Sequence, residues 1–145
     1  MMPVEKIFET IATLACGIFT GAAVYINLVE HPARMQCGTR LAATEFAPSY
    51  RRASVMQASL AAIGFVAATA GWLMGASSWW LVGGVLLGFV IPFTLIFIMP
   101  TNKKLLSPDL DKEPELTLHL LEKWGRLHAV RSLLSLIAFL IFLGL

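Results

Sequence analysis

Charge is scarce in this chain, and in two long stretches it is missing altogether. Asp, Glu, Lys and Arg make up 14% of the 145 residues, and neither 53–102 nor 132–145 contains one of them. Cysteine is almost as rare: Cys16 falls mid-stretch in an apolar run and Cys37 in a polar connection, which excludes a disulfide framework and offers no metal-type Cys spacing. A net charge of +2 with no continuous basic stripe excludes nucleic acid as a partner. Nothing in the composition marks a second domain.

What is abundant is hydrocarbon. Apolar residues reach 57%, against roughly 45–50% in soluble domains. A helix crossing a ~30 Å hydrocarbon core needs roughly 20 mostly apolar residues. Four stretches meet that length, about 7–29, 53–75, 78–99 and 127–145. Gly75, Ala76, Ser77 and Ser78 predict a tight turn between the second and third, with Trp79 and Trp80 at a membrane–water boundary. The first stretch opens on Glu5, Lys6 and Glu9 and exceeds the apolar core of a signal peptide, so a retained helix is expected. The fold class is all-α, an integral membrane four-helix bundle in a single transmembrane domain, 1–145.

The two connections, about 30–52 and 100–126, hold nine of the eleven Lys and Arg residues. The positive-inside tendency puts them in the cytoplasm and both termini on the non-cytoplasmic side, here of a bacterial inner membrane. Helical spacing then selects inward faces. In the second span, positions 50, 54, 57, 61, 64, 68, 71 and 75 read Tyr, Ser, Gln, Ala, Gly, Ala, Gly, Gly, a stripe of small residues that permits close packing.

Each stripe turns polar toward its cytoplasmic end. Thr13, Cys16, Thr20, Asn27, His31 and Arg34 share a face of the first span; Gln57, Ser54 and Tyr50 finish the second. Gly84, Gly88, Ile91 and Leu95 lead toward Asn102 in the third, and Thr117, Leu121, Trp124, His128, Arg131 and Ser135 line the fourth. Arg131 lies within the fourth span, where an ionised group either faces a cavity or snorkels to headgroups. His119 and His128 lie about 180° apart on a helix, so His119 joins Glu122, Lys123 and Arg126 on a solvated face. His31 and His128 are either site residues or hydrogen-bonded packing residues. Pro32 biases His31 away from helical backbone, Pro100 is expected to end the third span before Asn102, and Pro114 to start one long helix through 145.

The run Asn27-Leu-Val-Glu-His31-Pro32, the segment Tyr50-Arg51-Arg52, the run Pro100-Thr101-Asn102-Lys103-Lys104-Leu105 and the run Trp124-Gly-Arg-Leu-His128-Ala-Val-Arg131 resemble the anthrone oxygenase-like family of small membrane proteins. The resemblance spans nearly the whole chain. It implies a four-helix membrane bundle and, as in some fungal members, oxidation of polyketide anthrones to anthraquinones by molecular oxygen; many bacterial members are labelled only as a domain of unknown function.

Under that implication the substrate is an apolar aromatic or quinone-like molecule, and the reaction needs no cofactor. A base and a cationic partner suffice for an enolate that reacts directly with oxygen. His31 or His128 would be the base and Arg131 or Arg34 would stabilise oxyanion charge. Asn102 and Tyr50 would orient oxygens, Trp124 would supply an aromatic wall, and Asn27 and Gln57 complete the binding face. Two other readings stay open. One is a redox protein with haem or a metal on His31 and His128, with Glu30 as a further oxygen ligand, although no His-x-x-x-His or Glu-x-x-His pair occurs. The other is a non-enzymatic module that binds lipid or an apolar small molecule, as a homo-oligomer or alone.

Overall fold

The computed structural model describes residues 2–110 and 114–145; positions 111–113 of the expected second connection lie outside the described residues. Four helices account for nearly all of it: α1 (Val4–Gln36), α2 (Thr39–Leu73), α3 (Ser78–Leu105) and α4 (Pro114–Phe142). Each is long and apolar enough to cross a membrane, and among the described residues there is no strand.

The helices run well past the apolar stretches that define them in sequence. The expected connection 30–52 is almost wholly helical, with only 37–38 interrupting the chain between α1 and α2. At ~1.5 Å per residue, the 35 residues of α2 measure about 52 Å, more than a bilayer's hydrocarbon core. The charged first turns of α2, with Arg40, Glu45, Arg51 and Arg52, are therefore the part left over for the interface.

The hairpin between α2 and α3 is built as its residues dictate. Ala76 N–H reaches the Gly71 carbonyl at 3.0 Å and Gly75 N–H the Trp72 carbonyl at 3.0 Å, closing the end of α2 with Gly75 at φ 109°. Only glycine takes that backbone without strain. Ser77 then caps α3 by accepting from Trp79 N–H.

Two expectations about proline need correction. α1 and α3 each contain one wide π turn, Ile26–Glu30 and Thr94–Ile98, in which His31 N–H bonds back five residues to Ile26 and Met99 N–H to Thr94. Pro32 and Pro100 follow these turns directly. The widened turn absorbs an extra residue and moves away the carbonyl that the ring would strike. His31 accordingly keeps helical backbone at φ −65°, ψ −46°, and is not turned out of the helix. Pro100 does not end the third span, which continues through Asn102 to Leu105.

Neighbours pack in the ring order α1, α2, α3, α4 and back to α1. The core of one half is Phe19, Leu87, Val90 and Phe142 set among alanines; the other half is Phe46, Ile98, Leu121 and Trp124. The start of α1 lies against Gly71 near the end of α2, and Phe142 at the end of α4 lies against Gly83 near the start of α3. Both termini thus sit at the same end of the bundle as the Gly75 turn. Leu14, Ile18, Val55, Val66, Ile96 and Leu133 point outward as an aliphatic exterior.

Small residues set the helix separations. A Cβ on Gly84 would stand 2.8 Å from Ala68 Cβ, whereas one on Gly21 would meet nothing within 4 Å. Gly84→Leu should therefore pry α2 from α3 and cost about 1–3 kcal/mol. Gly21→Leu should stay within about 0.5 kcal/mol of the parent. Thermal unfolding in detergent, followed by circular dichroism, separates the two.

Candidate functional site

Apart from Glu9 near the start of α1, most of the buried polar groups collect toward the end of the bundle away from the termini. Along α4, Thr117, Leu121, Trp124, His128, Arg131 and Ser135 are all buried, and His119 is exposed, as helical spacing predicts. Gln57 closes the small-residue stripe of α2, also buried. The π turn in α1 holds Asn27 and Glu30 beside this cluster, with Arg34 buried one turn further on. In α3 the π turn shifts the phase: Leu95, expected inward, is 58% exposed, and Ile98 is buried in its place.

Between the four helices lies a cavity of about 150 Å³. Six of the expected site residues stand in its wall: Arg34, Tyr50, Gln57, Trp124, His128 and Arg131. Most of the rest is aliphatic or small, and Phe19 and Phe46 add two aromatic rings to those of Tyr50 and Trp124. Phe46 meets Trp124 edge-on with centroids 5.2 Å apart and stacks on Tyr50 at 5.6 Å.

Arg131 is the charge that defines the site. Its Nη2 donates to Gln57 Oε1 at 2.8 Å, and its guanidinium carbon lies 5.6 Å from the centre of the Phe19 ring. Among the described residues no carboxylate pairs with it. Because Gln57 uses its oxygen on Arg131, its Nε2 is left as a buried donor without a partner, and Arg131 Nε is another. Unpaired buried donors and an uncompensated cation are costly. The group that would relieve them is an acceptor oxygen, neutral or anionic.

His128 is held in one tautomer. Asn27 Nδ2 donates to the Gly125 carbonyl at 3.1 Å, which fixes the amide so that Oδ1 faces α4. That oxygen can only accept; it receives His128 Nδ1–H at 2.8 Å and the Ser132 hydroxyl at 2.5 Å. In the neutral ring the proton is then on Nδ1, and Nε2 carries the free lone pair. A histidine oriented on one nitrogen and open on the other has the form of a general base.

Arg34 has the opposite electrostatics. Its Nη2 pairs with Glu30 Oε1, its Nε lies 2.6 Å from Glu45 Oε2, and Ser49 donates to Glu30 Oε1 at 2.6 Å. Its carbon lies 5.8 Å from the centres of both Phe46 and Trp124. Two carboxylates thus neutralise this cation at the outer rim, and Arg131 alone remains to attract an acceptor.

Three expected residues lie outside the cavity wall. Asn27 stands behind His128 as its orienting group. His31 lies 5.3 Å from Trp124 between centroids, and His128 lies 4.8 Å from the same indole. A Cβ on Gly125 would stand 2.5 Å from His31 Nε2, so this glycine is what lets the imidazole lie against α4. Asn102 is fully buried among the apolar residues around Ile98 and Leu105, and neither amide atom finds a hydrogen-bond partner. Among the described residues no three His, Cys, Asp or Glu side chains gather to hold a metal ion.

Glu45, Ser49 and Ser132 were not singled out by the sequence as site residues, and Glu30 entered only as a possible metal ligand. Two of them carried a signal, since Glu30 precedes Arg34 by four residues and Ser132 follows His128 by four, the spacing of side-chain pairs on a helix. Glu45 and Ser49 reach Arg34 from another helix, and no spacing announces that.

A four-helix bundle of membrane-crossing length, enclosing a small, partly aromatic cavity with one uncompensated cation and one oriented histidine, is the class that the fold defines. The anthrone oxygenase family profile matches residues 46–141, and the chain belongs to this family. The matched segment contains Tyr50, Gln57, Asn102, Trp124, His128 and Arg131; Asn27, His31 and Arg34 precede it. No curated protein and no solved structure matches the chain.

Asn27→Ala would leave His128 Nδ1–H and the Ser132 hydroxyl without their acceptor. A loss of about 1–3 kcal/mol is expected, read as a lowered melting temperature. Arg131→Met should cost far less, because it removes a buried charge that no carboxylate compensates; its melting temperature should fall within a few degrees of the parent.

Proposed function

We propose that this protein oxidises a carbonyl- or hydroxyl-bearing aromatic ring with molecular oxygen, using its own side chains and no resident cofactor. The observation that carries the reading is the 2.8 Å contact of His128 Nδ1 with Asn27 Oδ1, which favours the proton on Nδ1, beside an Arg131 with no acid partner among the described residues. His128 Nε2 removes a proton from the bound ring system, and Arg131 Nε with Gln57 Nε2 takes up the enolate or phenolate oxygen. The electron-rich anion then reacts with oxygen. For an anthrone the balance is a ring CH₂ plus O₂ giving a carbonyl plus water.

Trp124, Phe46 and Phe19 flank the ring, and Tyr50 orients a second oxygen. His31 packs against Trp124. The protein sits in a bacterial inner membrane with the cavity toward the cytoplasm and both termini outside, in keeping with the basic residues at 34–52 and 103–126.

Oxygen uptake by the purified protein with simple phenols, single rings of the size the cavity holds, tests this. His128→Ala should lower the rate by about 10²–10⁴-fold, and Gln57→Leu by about 10²-fold; both lose a buried hydrogen bond and should melt below the parent, so retained helical circular dichroism at the assay temperature is the check on folding. Uptake no faster than in protein-free buffer for every ring tried would overturn the proposal.

A further inference from the structure

The cavity is not walled equally on all sides. α2 packs closely along the first half of α3, through Gly84 on Ala68 and Gly88 on Phe65, and makes few contacts with α3 beyond the π turn. On this side the wall includes Ala58 and Leu95, both exposed on the outer surface. Beside it, between the same two helices, lies a groove of about 440 Å³ formed by Ala62, Phe65, Val66, Val85, Gly88 and Phe89. Ile91 stands in both walls, so the two spaces adjoin.

Their chemistry is complementary. The cavity carries the donors and the cation, whereas every side chain lining the groove is apolar. Val66 at 63% and Phe89 at 49% exposed show that the groove opens outward, which in an embedded bundle means toward lipid. Volume sets how much of a ligand each part takes, because a cavity of roughly 150 Å³ holds about one benzene ring.

We propose that cavity and groove form one site for an elongated amphiphile, with a single oxygen-bearing aromatic ring against Arg131, Gln57 and His128. Its apolar tail leaves between Ala58 and Leu95 and lies along Phe65 and Gly88. The substrate class is thus a membrane-dissolved phenol or ring ketone with an alkyl-type chain, which reaches the site sideways from the bilayer. This rests on the cavity being the reaction site proposed above and adds what occupies the rest of it. For a phenol unsubstituted opposite its hydroxyl the balance is phenol plus O₂ giving the quinone plus water.

Lipid chains are as apolar as the groove, so the tail gains through packing alone and its effect is modest, on the order of tenfold. The test is binding of a phenol series from methyl to dodecyl, measured by equilibrium dialysis against the protein in lipid nanodiscs and corrected for partition into empty discs. The parent should prefer dodecyl to methyl by about tenfold. Ala62→Trp, which fills the groove from the lipid side, should abolish that preference and move methyl binding less than twofold. Val85→Trp fills the groove from α3 and serves if the first variant misfolds. An unchanged preference in the filled variants, or none in the parent, overturns the proposal. Oxygen uptake is recorded separately: bound phenols that are not oxidised refute the oxygenase reading and leave the tail site standing.

Discussion

The site depends on one carboxamide. Asn27 ties α1 to α4 by giving its NH₂ to the Gly125 carbonyl and taking two protons, from His128 and Ser132, on its oxygen. Each bond decides the next: the backbone carbonyl fixes the amide, the amide fixes the imidazole, and the imidazole is left with one open nitrogen. Reversing the amide would set its NH₂ against His128 Nδ1 and face its oxygen with another carbonyl. In an apolar surround neither mismatch can be relieved by solvent, so the arrangement has one stable form.

The two buried arginines show how position assigns different work to the same side chain. Arg34, near the rim, is pinned between Glu30 and Glu45 and stacked beside Phe46 and Trp124, so it acts as a fastener between α1 and α2. Arg131, deeper and flanked by Phe19 and Gln57, has no acid within reach among the described residues. A bundle selected for stability alone would not keep such a group. Its presence in the wall of a cavity is the best physical reason to regard the cavity as a binding site.

Much of this was legible in sequence because a membrane imposes strong periodicity. The charge-free stretches gave the helices, Gly75 the hairpin, and the steps of three and four from Thr117 to Ser135 the inward face of α4. What escaped were features set by a single backbone irregularity. Regular helical phase puts Leu95 inside, and the π turn at Thr94–Ile98 puts it out. Proline rules turn His31 away, and the π turn before Pro32 keeps it in line. Pairing across helices was equally hidden: nothing in spacing says that Gln57 meets Arg131 or that Glu45 meets Arg34.

The π turns of α1 and α3 repeat one device, five widened residues and then a proline two positions on. Each stores one surplus residue in an otherwise regular coil. Rewinding either turn as ordinary α-helix, with no residue lost, would swing all that follows through about 100°. In α1 that motion would carry Arg34 off its acids; in α3 it would turn Leu95 back toward the bundle interior. The bundle is therefore indexed by two small offsets, and winding one of them out acts on the site as a rotation, with no change in composition.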